Sequence, residues 1–82
     1  MQLFALILDR ARAGALWPRL HEPSVRAQID SSIAASTELA EAVVLGTCLR
    51  LEFYAAGRDP GAARAELAGH LVRILGSEAE AI

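Results

Sequence analysis

Only one cysteine, Cys48, occurs in this chain, so an intramolecular disulfide is excluded and the thiol is either a buried spectator or a nucleophile. Lysine is absent as well. All eight basic residues are arginine, a bias that points to genome composition more than to function. Long hydrophobic runs are missing: Leu3 to Leu8 and Ala42 to Leu49 are far too short to span a bilayer, and no basic segment precedes the first. No membrane association is therefore expected, and the chain reads as cytoplasmic, where a free thiol is unremarkable. No G-x-G-x-x-G phosphate loop occurs, and there is no internal repeat.

What is present describes one small domain over residues 1–82. Hydrophobic residues make up 54% and charged residues 22%, a globular rather than a disordered balance, with much of the excess in alanine. A chain this short buries a modest core, so a protein partner or a homodimer is expected to support it. The net charge of -2 gives no global reason to expect nucleic acid. Residues 1–29 nevertheless carry Arg10, Arg12, Arg19 and Arg26 against only Asp9 and Glu22, and a basic N-terminal third can meet a phosphate backbone. Four spread charges fall short of a basic patch, and ordinary solvated arginines explain them as well.

Leu3 to Leu8 reads as a strand buried on both faces or covered by helices, and ended by Asp9-Arg10. Residues 10–21 contain Gly14 and Pro18, lack a sustained period, and read as a loop with at most one helical turn. From Ser24 to Ala40, Val25, Ile29, Ile33, Ser32 and Ser36 recur at spacings of three and four, the stripe of an amphipathic helix. Ala42 to Leu45 and Leu49 to Ala56 read as two strands broken by Gly46-Thr47. Asp59-Pro60 supplies an N-cap and a proline for a second helix lined by Ala63, Leu67, Leu71, Ile74 and Leu75 and stopped by Gly76. His70 lies at the border of that stripe, and His21 is a loop histidine without an identifiable partner. The order β-α-β-β-α predicts an α+β, ferredoxin-like unit with its last strand missing, an antiparallel sheet covered by two helices. Residues 77–82 are too acidic and too few to supply that strand, which leaves an open sheet edge for a protein partner or a second copy.

Around Cys48 the strand alternation puts Arg50, Glu52 and Tyr54 on one face and Leu49, Leu51 and Phe53 on the other. An extended Cys48 lies on the Arg50 side, roughly 6 to 7 Å away in Cα terms. A nearby guanidinium favours thiolate, the nucleophilic form. Thr47 and Gly46 add a hydroxyl and backbone N–H groups suited to a carboxylate or a developing oxyanion. A buried cysteine beside a solvated Arg50–Glu52 pair remains the plain alternative.

The segment Ala42-Val43-Val44-Leu45-Gly46-Thr47-Cys48-Leu49-Arg50-Leu51-Glu52-Phe53-Tyr54 resembles the active-site segment of glutamyl-tRNA reductases, whose pattern is VVLSTCNRTE followed by an aromatic residue. The strand Leu3 to Leu8, the stretch Leu16-Trp17-Pro18-Arg19-Leu20 and the second helix fall in register with the N-terminal catalytic domain of that family. The resemblance implies that Cys48 attacks the ester joining glutamate to its tRNA, forming a thioester that NADPH reduces to glutamate-1-semialdehyde in tetrapyrrole (5-aminolevulinate, porphyrin) biosynthesis. It implies Thr47 and Arg50 as contacts to the substrate's amino-acid portion, with Glu52 and Arg10 as support. An arginine fork suits a carboxylate.

The departures are specific. Leu8-Asp9-Arg10-Ala11 stands where the family has Asn-His-Lys-Thr, and Gly46, Leu49 and Leu51 stand for its Ser, Asn and Thr. Two leucines on one strand face imply changed packing, a new interface or a tightened core. No nucleotide-binding domain is recognisable, so no cofactor is expected on this chain and NADPH belongs to another domain or chain. Three functions are consistent with these residues: an NADPH-dependent oxidoreductase module of this kind acting with another polypeptide, a non-catalytic module binding a protein partner through the open edge and the apolar face of the last strand, and a stand-alone thiol acyl-transferase or esterase.

Overall fold

The computed structural model describes residues 2–77 and 79. Three strands form one antiparallel sheet: β1 (Gln2–Asp9), β2 (Glu41–Gly46) and β3 (Arg50–Gly57), in the order β1-β3-β2. The fold is α+β with an open sheet, β1 and β2 forming its edges. β3 lies between them, and its side chains alternate from Arg50 to Ala55. Leu51, Phe53 and Ala55 are buried while Arg50 and Tyr54 are exposed and Glu52 is half-buried. On the inner face Phe53 pairs with Leu6 of β1 and Val44 of β2, and Leu51 pairs with Leu8. Phe53 and Leu51 are both fully buried, each contributing roughly 1.5 to 3 kcal/mol through removal of apolar surface from water.

Four helices follow in chain order: α1 (Arg10–Ala13), α2 (Trp17–Leu20), α3 (Pro23–Ala34) and α4 (Pro60–Leu75), with a 3-10 turn over Gly14–Leu16. The helix α4 runs over the residues its caps predict. The Asp59 side chain accepts the Ala62 N–H, Pro60 opens the first turn, and Gly76 closes it with φ 95°. Its buried stripe of Ala63, Leu67, Leu71 and Leu75 packs on the inner face with Val25 and Ile29 of α3.

Residues 10–20, expected as a loop, are almost wholly helical. Ala13, Leu16 and Leu20 recur at spacings of three and four and are buried, so a helical period exists there. Gly14 and Pro18 hide it. Gly14, at φ 55°, ends α1, whereas Pro18 lies in the first turn of α2, where a missing N–H costs nothing. The exposed His21, expected to lack a partner, meets Trp17 edge to face at 4.5 Å between ring centroids. The helix expected over 24–40 stops at Ala34, six residues early. Ser36 turns its hydroxyl back onto the Ser32 carbonyl at 2.8 Å, and the following N–H groups find a carboxylate on α4.

Leu49 departs from the expected strand. It precedes β3, in the turn, and is 60% exposed, so it does not share the buried face with Leu51 and Phe53. Leu51 tightens the core, and the apolar face of β3 is filled by helices rather than open to a partner. Exposed apolar side chains lie instead on the opposite sheet face, along its two flanks: Leu3 and Ile7 on β1, Val43 and Leu45 on β2. The segment 77–82 lies outside the described residues except for Ser77 and Ala79. Among the described residues no helix is long and apolar enough to cross a membrane.

Two glycines give opposite expectations. A Cβ on Gly57 would come within 2.5 Å of the Glu38 carbonyl oxygen and 3.1 Å of Ala63 Cβ, whereas one on Gly69, inside α4, meets nothing within 4 Å. Gly57→Ala is expected to destabilise the domain by about 1 to 3 kcal/mol through overpacking. Gly69→Ala is expected to stabilise it by about 0.5 to 1 kcal/mol through helix propensity. Denaturant unfolding of both variants checks the pair of signs.

Candidate functional site

The turn between β2 and β3 is built by Thr47. Its N–H donates to the Arg50 carbonyl at 2.8 Å, while its hydroxyl accepts the N–H groups of Leu49 and Arg50 at 3.2 and 3.0 Å and donates to the Arg50 carbonyl at 3.3 Å. One donor and two acceptor sites are thus all in use. The hydroxyl expected to touch substrate instead shapes the turn, and Thr47 serves the site by holding Cys48 at the tip. Cys48 is exposed, which removes the buried-spectator alternative.

The end of β1 is fastened to this turn. Arg10 N–H donates to the Leu49 carbonyl at 2.9 Å, and Asp9, paired with Arg50 in the sheet register, caps α1 by accepting the Arg12 N–H at 2.7 Å. Asp9, Arg10, Ala11, Leu49 and Arg50 line an open groove of about 560 Å³ beside the cysteine turn. Cys48, Arg50 and Arg10 are thereby gathered at one corner of the sheet.

Arg50 does not lie over the thiol. Its guanidinium runs along the exposed sheet face to Glu52, with Nε and Nη2 donating to Oε2 at 3.1 and 2.8 Å. The other carboxylate oxygen of Glu52 accepts the Tyr54 hydroxyl. This ladder perturbs all three groups. Hydrogen bonds from Tyr54 first, and from Arg50 next, hold the Glu52 carboxyl below its usual range. Donation to Glu52 raises Tyr54, and the same carboxylate raises Arg50. Tyr54 was not among the expected site residues. Its signal was the spacing Arg50-x-Glu52-x-Tyr54, which puts three side chains in one row on a strand face.

A second polar cluster lies between α3 and α4. His70 Nε2 is 2.7 Å from the Ser36 hydroxyl, and Arg73 Nη2 is 2.9 Å from Nδ1 and 3.0 Å from the Ser32 hydroxyl. Arginine only donates, so Nδ1 accepts and Nε2 carries the proton, leaving Ser36 to donate to the Ser32 carbonyl. A serine whose proton is already committed to a backbone carbonyl, beside a histidine without a carboxylate on its far nitrogen, lacks the parts of a nucleophile and base. Glu66 completes the junction by accepting from Thr37 N, Thr37 Oγ1, Glu38 N and Leu39 N. Burial pushes its carboxyl up, and these four bonds together bring it below its usual range. No sequence signal joined residues some thirty positions apart. Among the described residues no group of three or more His, Cys, Asp or Glu side chains is arranged to hold a metal ion.

Burial, and then Arg73, lower the His70 pKa below 6.5, outweighing the opposite pull of Glu66. The unfolded chain then binds the proton more readily. Stability is expected to rise with pH through the window below about 6.5 and to fall on acidification within it. In His70→Gln that part of the pH dependence should disappear, as thermal unfolding measured from pH 5 to 8 would show. Comparison of the chain with protein-family models, with curated proteins and with solved structures gives no match.

Proposed function

We propose that this chain is a glutamyl-tRNA reductase-like catalytic module in which Cys48 takes the glutamyl group from its tRNA ester. The observation that carries the reading is the exposure of Cys48 at the tip of the Thr47-built turn, beside a groove shared by Arg10 and Arg50. A buried thiol would have opposed it. The sheet order β1-β3-β2, antiparallel throughout, also agrees with a ferredoxin-like unit short of its last strand.

In this reading the Cys48 thiolate attacks the ester carbonyl, the C–O bond to the tRNA ribose breaks, and the departing oxygen takes a proton. The products are a thioester on Cys48 and free tRNA. Arg50 receives the carboxylate of the glutamyl group, Arg10 adds positive charge at the groove, and Thr47 presents the thiol. Reduction of the thioester requires NADPH held on another domain or chain. The strand-to-helix junctions here, Asp9-Arg10 after β1 and Arg58-Asp59 after β3, offer no glycine-rich cradle for its pyrophosphate, so no reductive step is assigned to these residues.

A second reading rests on a different observation. The β1 edge and the aliphatic flanks Leu3, Ile7, Val43 and Leu45 are exposed in a small domain, which suits a protein partner or a second copy. A module that only binds such a partner would leave Cys48 unused.

Incubation with glutamyl-tRNA is expected to add one glutamyl mass to Cys48, and to add none in Cys48→Ser. Absence of the adduct where a complete reductase forms one would overturn the acyl-transfer reading. Sedimentation of the protein at micromolar concentration then bears on the second, since a stable, well-folded monomer is its contrary outcome.

A further inference from the structure

Arginine offers five N–H donors, and how they are shared decides what Arg50 can still bind. The Nε–H and one hydrogen of Nη2 go to a single oxygen of Glu52. Both hydrogens of Nη1 and the second of Nη2 remain; one on each nitrogen forms the end-on edge of the guanidinium, whose parallel N–H bonds match two carboxylate oxygens. Among the described residues nothing else takes them. Asp9, across the sheet from Arg50, is the nearest candidate by register; its Oδ1 takes the Arg12 N–H, and its charge is felt at Arg50 without a hydrogen bond between them. Glu52 in turn is held from the other side. Tyr54 donates to its free oxygen, and the Glu52 side chain is only 12% exposed although Arg50 is half exposed. The ladder therefore fixes the guanidinium of an otherwise flexible side chain by one edge and leaves the other edge without a protein partner, on a residue that lines the groove.

We propose that Tyr54 and Glu52 are positioning residues for Arg50: they grip its guanidinium by one edge so that the opposite edge meets the carboxylate of a ligand entering the groove beside Cys48. The inference rests on the reading of this groove as the substrate site and adds Tyr54 to it. It also fixes what is recognised, a planar two-oxygen anion rather than negative charge in general. The entropy of ordering a long side chain is then met in the fold, before a ligand arrives.

The test compares alkylation of Cys48 by iodoacetate and by iodoacetamide in the full chain, followed by intact mass. Both reagents consume thiolate, so their rate ratio cancels the thiol's ionisation and reports how an incoming carboxylate is treated. Relative to a short cysteine peptide, the protein's iodoacetate-to-iodoacetamide ratio is expected to be raised by more than about threefold, the effect of unit charges roughly 7 Å apart in water, because a direct N–H contact is closer than that. Arg50→Gln should lower it at least as far as either grip variant does. Tyr54→Phe and Glu52→Asp leave every formal charge in place and disturb only the grip, and each should lower the ratio toward the peptide value with the unfolding temperature kept. A ratio equal to the peptide's in the unaltered protein, or one that Tyr54→Phe and Glu52→Asp leave unchanged or raise, overturns the proposal. The readout is separate from acyl transfer: a raised, grip-dependent ratio without a glutamyl adduct keeps the positioning and removes the reductase-like reading, and an adduct with an indifferent ratio does the reverse.

Discussion

Strand β3 is bonded on both sides, to β1 through Gln2–Gly57 and Asp9–Arg50 and to β2 through Glu41–Ala56 and Gly46–Leu51. Its register is the constraint on which everything else hangs. A slip of one residue would turn Leu51 and Phe53 outward and carry Arg50, Glu52 and Tyr54 into the helical layer, where no partner for a charge exists. The same alternation therefore makes the core and the polar ladder, and neither can be changed alone. It also locates the cysteine, since Thr47 bonds to the first residue of β3 and the turn is measured from that point.

The polar contacts between α3 and α4 work differently from the apolar packing beneath them. Glu66 receives the N–H groups of Thr37, Glu38 and Leu39, which would have bonded to carbonyls four residues back had α3 continued. Arg19, from the short helix α2, donates to the Leu75 carbonyl at 2.9 Å and so adds a distant side chain to the C-terminal end that Gly76 already closes. Two side chains far away in the chain thus tie α4 to the segments packed against it.

What the sequence discloses follows the range of the interactions. The limits of α4 are written in neighbouring residues, Asp59-Pro60 at one end and Gly76 at the other; β1 and β2 are written in short apolar runs, and β3 in local alternation. The exposed row Arg50, Glu52, Tyr54 follows from the same alternation, although its hydrogen bonds do not. The end of α3 is invisible because the competing acceptor, Glu66, lies nearly thirty residues on. Residues 10–20 mislead for the converse reason. Gly14 and Pro18 are local signals of a break, while the burial of Ala13, Leu16 and Leu20 that makes the segment helical is supplied by the rest of the core. Leu49 shows the limit of alternation itself: the pattern does not say where a strand begins, and the Thr47 turn starts β3 one residue later than the apolar run suggests.

The hydrogen bond from Arg10 N–H to the Leu49 carbonyl joins points 39 positions apart in the chain, and among the described residues β1 has no strand partner other than β3. During synthesis the apolar first strand must therefore wait, unpaired, until some fifty residues have emerged. Its closure is a high-contact-order event, late and slow by comparison with the helices between. The groove beside Cys48 exists only with that closure, so the surroundings of the thiol depend on a long-range pairing and not on the hairpin alone.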